Sequence, residues 1–516
     1  MEVRTPSLIF KIFLLLFCLS FPACTGSAQE GKIETKEEYK AVWYAYDNFT
    51  DYRNQYPENN EKNFRKYYNQ VLDNCLDKGM NAIIIHVRPC SDAVYRSEYY
   101  PWSKYISGEQ GVDPGYDPLA IMVELTHKKG MKIEAWVNPY RIGNTEMSED
   151  NPAKKWIDQK SRNVLQYDGS WYYNPSSPEA RDLIVNGIRE IAENYSVDGI
   201  HMDDYFYPSF SPANVNSFDY EEYEKSGTTM SLKEYRQEQV NILVRDIYST
   251  IKGINPDIRF GISPMGIIGT LESDYQYYVD IIKWLSSDGY VDYIAPQIYW
   301  GFNHPTEKFD AVLQDWIKAR TNKKIDLYIG IGVYKAGYNV GASSSEKSEW
   351  QNDTDILKKQ VEYGRNNNAD GFIFFDYEDF VNPVNAKAVE QLKSLFHTTY
   401  REITKETTKE KEYRKVLIHS DDGNIPYHKI VDAMNAYVEY GDIEIVYSDA
   451  IGQAGTEFAK NNNLNAIKAD SDLISSCSNG IFICFYDGNE STALLINDAV
   501  KEGMEVHVLP LNGPGL

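Results

Sequence analysis

The chain has 516 residues, long enough for a large core and two folded domains behind an N-terminal signal. Its formal net charge of −24 argues against nucleic acid or an anionic membrane surface as a partner. The 41 Tyr and 9 Trp stand out, because amphipathic rings stack on the apolar faces of sugars while their polar edges reach hydroxyls, although such rings also build ordinary cores.

At the N-terminus, Arg4 and Lys11 flank the apolar run Ile12–Phe21, which is too short for a transmembrane helix and has the form of a secretory signal. It continues into Pro22-Ala23-Cys24-Thr25-Gly26-Ser27. A small residue ahead of a cysteine resembles a bacterial lipobox, which implies a signal over residues 1–24, lipidation of Cys24 and a polar spacer over 25–39. Phe21 stands where an aliphatic residue is usual, so cleavage after Ala28 as an ordinary secretory signal is the alternative. The expected location is the cell envelope, lipid-anchored at the outer membrane or in the periplasm; the alternative signal makes the protein secreted. Cys75, Cys90, Cys477 and Cys484 have no CxxC or Cys/His spacing for a structural metal and read as buried thiols, a disulfide being open to them in an oxidising periplasm.

From about residue 40 strand and helix patterns alternate. The first strand is Val42–Tyr46, followed by a helix over Phe64–Lys78 that Gly79 stops. The second is Ala82–Arg88 with a helix over Pro118–Lys129, and the third is Lys132–Asn138 with a helix over Pro178–Asn194. The fourth lies within Ser196–Pro208. Helices over Leu232–Lys252, Tyr275–Ser286, Lys308–Arg320 and Thr354–Asn366 then lead to strands Arg259–Pro264, Tyr293–Trp300, Leu327–Tyr334 and Gly371–Asp376. A helix over Ala386–Phe396 closes the series. Eight consecutive units with near-continuous apolar strands predict an α/β fold, a closed (β/α)8 TIM barrel over residues 40–397, rather than a doubly wound open sheet.

Residues 398–415 are charge-rich without a core-forming period and read as a linker. Residues 416–516 predict a small Rossmann-like α/β domain, with strands near Val416–His419, Ile443–Tyr447, Ala466–Lys468, Ile481–Tyr486 and Val506–Leu509. Helices are expected near His428–Glu439, Ala454–Asn461 and Thr492–Lys501.

In a parallel barrel the ligand meets the C-terminal ends of the strands. The fourth strand ends in Asp203-Asp204-Tyr205-Phe206-Tyr207-Pro208, two carboxylates followed by three rings. Alternation puts His201 and Asp203 on one face and Asp204 on the other, so Asp203 is aimed into the cleft with His201 one layer beneath it. The bland readings are a helix cap or loop ion pair for either acid and a satisfied core histidine for His201. The other strand ends deliver Arg88 and Asp92; Trp136, Asn138, Tyr140 and Arg141; Gln297, Tyr299 and Trp300; and Asp376. Acids, amides, guanidinium groups and rings gathered after strands are what a sugar cleft needs.

The run Asp198–Pro208, together with Val42-Trp43, His86-Val87-Arg88-Pro89, Ala135–Arg141 and Ala295–Trp300, resembles the glycosyl-hydrolase-like family 10 of bacterial envelope proteins. The resemblance covers essentially the whole barrel. It implies a glycosidase, some relatives acting on peptidoglycan glycan strands stripped of their peptides. Glycoside hydrolysis usually needs two carboxyl groups. Asp203 is expected as nucleophile or base, with Asp204, Asp92 or Asp376 as its partner. Substrate assistance by a 2-acetamido group is a further option, but chitinase-like barrels place a Glu where Tyr205 stands. Neither a metal nor a cofactor is expected. The partners are then a polysaccharide or glycan substrate and a membrane reached only through the lipid anchor. The rival reading is a non-catalytic glycan-binding lipoprotein that kept the cleft.

In the C-terminal part, Gly452–Ala459, Phe482–Gly488 and Thr492–Leu495 resemble SLOG-type Rossmann-like domains, which implies ligand binding through a Gly-rich loop. Here that loop is poor in glycine and carries Asp449, which would repel a phosphate. A nucleotide site, with a signalling role, and a degenerate accessory module both stay open.

Overall fold

The computed structural model describes residues 37–143, 147–203, 206–338 and 344–397, and beyond them the backbone of five strands. Eight parallel strands close into a barrel: β1 (Tyr39–Tyr44), β2 (Ala82–Arg88), β3 (Lys132–Val137), β4 (Gly199–Asp203), β5 (Arg259–Ser263), β6 (Tyr293–Ile294), β7 (Asp326–Gly332) and β8 (Gly371–Phe375). Each pairs with its neighbours in sequence, and β1 closes against β8 through Tyr39–Gly371 to Val42–Phe374. The TIM-barrel expectation is met. The chain divides into two compact units, residues 1–393 and 394–516.

The helices form where caps and amphipathic spacing coincide. Asn60, Asp117 and Ser177 each accept a backbone N–H at the start of helices Glu61–Asp77, Pro118–Lys128 and Pro178–Asn194. Two of these also begin with proline, whose fixed φ suits the first turn. Ser231 and Glu234 form a reciprocal capping box on Leu232–Ile254.

Beyond short helices over Asn48–Gln55, Pro152–Asp158, Tyr220–Ser226 and Ser344–Asn352 that fall in expected loops, three segments differ from the sequence expectation. The helix expected from Tyr275 begins only at Ile281, because Tyr277 and Tyr278 have φ of +52° and +56° and cannot continue a right-handed helix. The sixth strand is regular only over Tyr293–Ile294, since Pro296 has no N–H to offer; beyond it, single bridges join Gln297 to Met265 and Gly330. The long interval after β3 holds an antiparallel sheet of strands Arg141–Gly143, Val164–Tyr167 and Ser170–Tyr173. Its hairpin turns at Asp168-Gly169, both with positive φ.

The barrel is filled, not hollow. Tyr39, Tyr293 and Tyr328 pack around the buried Glu134 in its lower layer, with Ala41, Ile84, Ala295 and Ile373 above. Tyr39 and Tyr328 stack at 4.4 Å between centroids. Glycines make the room: a Cβ on Gly261 would lie 2.0 Å from the Tyr293 ring, and one on Gly199 would lie 2.6 Å from the Glu134 carboxyl carbon.

In the C-terminal unit, β9 (Arg414–Ser420), β10 (Ile443–Tyr447), β11 (Ala466–Lys468), β12 (Ile481–Tyr486) and β13 (Glu505–Pro510) form a parallel sheet in the order β11-β10-β9-β12-β13. The expected helices there, the signal with Cys24, the spacer up to residue 36 and the linker over 398–413 lie outside the described residues. So do the loop carrying Asp449 and Cys477, while Cys75 is a buried free thiol and Cys90 a partly buried one.

Gly261→Ala is expected to force Tyr293 out of its layer and lower stability by about 1–3 kcal/mol, read as a fall in the urea unfolding midpoint; an unchanged midpoint would contradict the packing described.

Candidate active site

A cavity of about 380 Å³ opens at the C-terminal mouth of the barrel. Trp43 and Ala45 come from β1 and its exit, with Tyr46 and Asp47 just beyond; His86 comes from β2, and Trp136 and Asn138 from β3 and its end. His201 and Asp203 come from β4, Ser263 from β5, Gln297 and Tyr299 from the segment after β6, and Phe375 from β8. Arg141 and Tyr334 complete the wall. Alternation along the strands produces this set, since each inward residue near a strand's exit faces the same space.

The floor is a chain of buried hydrogen bonds. Trp43 Nε1 donates to His201 Nε2 at 3.0 Å, so that nitrogen is the acceptor. We assign the His201 proton to Nδ1, which lies 2.7 Å from the Tyr293 hydroxyl. Tyr293 donates to Glu134 Oε2 at 2.5 Å, and Tyr39 donates to Glu134 Oε1 at 2.7 Å. Burial pushes His201 down to about 3, so it is a neutral ring with both nitrogens occupied by protein. It supports the cavity wall, and its one N–H is already engaged by Tyr293.

His86 is different. It is 2 % exposed, stacks on Trp136 at 3.8 Å and meets the edge of Tyr46, yet neither ring nitrogen has a hydrogen bond of acceptable geometry. Burial, then the Arg141 charge and His201, hold it well below the usual imidazole range, with the Asn138 amide opposing. The Ser263 hydroxyl, also buried on the cavity wall, is likewise without a partner. Buried polar atoms left this way are costly unless a ligand completes them.

Asp203 is 3 % exposed at the head of β4 and faces the cavity. Desolvation alone would lower Arg141, but nearby groups that are negative when ionised, Cys90, Tyr46 and Asp203 in turn, outweigh that and raise it. Asn138 accepts from Trp136 Nε1 at 3.2 Å, and Gln297 donates to the Ser263 carbonyl at 3.0 Å. Tyr299 and Phe375 stack at 5.8 Å.

Of the sequence-predicted residues, the cavity brings together Asp203, His201, Trp136, Asn138, Arg141, Gln297 and Tyr299. It does not include Arg88, Asp92, Tyr140, Trp300 or Asp376. A register shift in β2 between His86 and Arg88 turns Arg88 away from the interior, where it is buried against Tyr100 and donates to the Asn138 carbonyl at 3.4 Å. Asp92 is buried in the loop after β2 and accepts from Gln110 at 3.3 Å; burial raises its pKa. Tyr140 is fully buried against the edge of Phe206. Trp300 packs edge-on to His304. Asp376 caps the short helix Tyr377–Val381, and burial with the neighbouring Asp379 pushes it up to about 7. Asp204 and Tyr205 lie outside the described residues.

Sequence reasoning passed over Trp43, Ala45, Tyr46, Asp47, His86, Ser263, Tyr334 and Phe375 as site residues. Asp47 is the consequential one: it and Asp203 are the carboxylates on this wall among the described residues. The signal was present, because Asp47 follows β1 just as Asp203 ends β4. Among the described residues no group of three or more His, Cys, Asp or Glu side chains could hold a metal ion, and no helix is long and apolar enough to cross a membrane.

A closed parallel barrel with carboxylates and rings at its C-terminal mouth has the form of a glycoside-hydrolase-like protein. The family model described as "Glycosyl hydrolase-like 10" matches residues 38–352, and the chain belongs to that family. It is 36% identical over 411 residues to glycosyl hydrolase YngK of Bacillus subtilis strain 168, covering 75% of this chain and 77% of that one. It is 33% identical over 352 residues to glycosyl hydrolase DigH of Escherichia coli strain K12, covering 63% of this chain and 78% of that one. Among solved structures, the glycoside hydrolase domain of PgaB (BpsB) from Bordetella bronchiseptica aligns with a TM-score of 0.46 at 13% identity, over 69% of this chain and 99% of that domain.

The depressed His201 pKa makes a pH prediction. A ring that stays neutral when folded but protonates when unfolded stabilises the fold fully above the unfolded value of about 6.5, and that stability is lost as pH falls toward 3. The urea midpoint is therefore expected to fall between pH 7 and pH 4.5, and His201→Gln to flatten that slope whatever its effect at pH 7; an unaltered slope would contradict the assignment.

Proposed function

We propose that this protein is a glycosidase that cleaves a bacterial cell-wall or related polysaccharide, with peptide-stripped peptidoglycan glycan strands the first candidate substrate. The observation that carries the reading is the cavity lining, in which the polar side chains of His86, Asn138, Ser263 and Gln297 are set between aromatic walls. A neutral imidazole offers one donor and one acceptor, and a serine hydroxyl offers both. Sugar hydroxyls match that demand, whereas a carboxylate or an ammonium group supplies only half of it. Trp43, Trp136, Tyr299 and Phe375 give the apolar surface on which sugar faces stack.

In this reading Asp203 acts as nucleophile or base and Asp47 takes the role of its partner acid, because it shares the cavity and Asp92 and Asp376 do not. Arg141 shares the cavity wall with Asp203, and the Asp203 carboxylate acts electrostatically on its guanidinium. We also read Cys24 as the lipidated residue of a cell-envelope lipoprotein, on the strength of the N-terminal sequence. Residues 416–516 are read as a Rossmann-like accessory module, which the all-parallel order β11-β10-β9-β12-β13 supports.

Asp203→Asn is expected to lower release of sugars from peptide-stripped peptidoglycan by about 10³-fold or more while leaving the thermal midpoint within a few degrees, and Asp47→Asn by about 10²-fold or more. Wild-type protein that binds this glycan without releasing products would instead favour the non-catalytic lipoprotein.

A further inference from the structure

Arg141 of the central cavity borders more than that one space. The same side chain lines a second depression of about 400 Å³ on the side of β3 and β4. Ser170 and Tyr172 of the antiparallel hairpin form one flank, and Tyr207, Ser209 and Tyr277 form the other.

This second wall is held in place from beneath. Arg236 and Asp219, both fully buried, pair at 2.7 Å. Tyr207 donates to Asp219 Oδ2 at 2.7 Å, and Arg236 donates to the Tyr278 hydroxyl at 2.8 Å. The guanidinium lies 4.7 Å from the Phe210 ring and 5.0 Å from that of Tyr278. Above this cluster a bridge joins Tyr207 to Tyr277. Tyr277 and Tyr278 both adopt left-handed backbone, a conformation that bulky residues keep only where the surroundings impose it. Tyr172 and Tyr277 remain half-buried, so their rings are both fixed and accessible.

We propose that this depression is a second sugar subsite, taking the neighbouring units of a glycan chain whose reacting sugar sits in the central cavity. The proposal rests on the glycosidase reading and adds to it which residues outside the central cavity grip the neighbouring units of the chain. The shared residue carries the argument: Arg141 lines both spaces. Tyrosine rings with serine hydroxyls at their edges repeat, outside the reaction centre, the chemistry that recognises a sugar.

The test uses the full chain carrying Asp203→Asn, titrated calorimetrically with disaccharide and hexasaccharide fragments of peptide-stripped peptidoglycan and with chito-oligosaccharides of the same lengths. In at least one series the hexasaccharide is expected to bind about tenfold tighter than the disaccharide. Tyr172→Ala and Tyr277→Ala should each reduce that ratio at least threefold, while Tyr172→Phe, which keeps the ring, should preserve it. Circular dichroism of each variant separates loss of the ring from loss of fold. Equal affinity at both lengths would remove the subsite and leave the glycosidase reading standing. No binding at either length, together with no cleavage by the wild-type protein, would overturn both.

Discussion

A single buried chain of polar contacts links the barrel's packing to its mouth. Glu134 sits in the lower layer of an otherwise apolar and aromatic interior, where an unpartnered carboxyl would be strongly unfavourable. Two tyrosine hydroxyls meet it, and one of them continues through His201 to the indole of Trp43. Because each member has its hydrogen-bonding capacity consumed by the next, the arrangement fixes ring orientations as well as stability. The floor of the cavity is therefore rigid and polar in a defined sense. The glycines opposite, Gly199 and Gly261, are part of the same constraint, since any side chain there would collide with Glu134 or Tyr293.

Two histidines in one cavity show how environment divides roles. His201 is neutral, fully engaged and structural. His86 is also held neutral, but it stacks on Trp136 at the cavity wall and takes no part in the chain that engages His201. The loops around the mouth show a similar division. The hairpin at Asp168-Gly169 and the buried Arg236–Asp219 pair underlie opposite flanks of the second depression.

Much of this was readable in the residues. Alternation along β4 aimed His201 and Asp203 the same way, and the strand ends after β3 and β6 supplied Trp136, Asn138, Gln297 and Tyr299 to one cavity. Alternation failed for Arg88 because a one-residue register shift after His86 reverses the face of everything beyond it, and no residue type in β2 announces that shift. Asp92 and Asp376 follow strands as the cavity residues do, but a loop contact and a helix cap claim them, which depends on where the chain goes next. Asp47 was legible by the same rule that found Asp203 and was missed because it lies one residue past an aromatic run that reads simply as strand. The Asp-Gly hairpin was legible too, being a strong turn signal between two short β-prone segments.

The sequence by itself determined the barrel, the order of its strands and the face each regular strand turns inward, because hydrophobic period, caps and strand-end chemistry are local properties of the chain. Tertiary structure alone decided that Arg88, Asp92 and Asp376 fall outside the cavity, which histidine is engaged by the buried chain, and that Arg141 lines two spaces. Those outcomes depend on distances between residues far apart in sequence, and a bulge, a left-handed turn or a buried ion pair sets them without leaving a periodic trace.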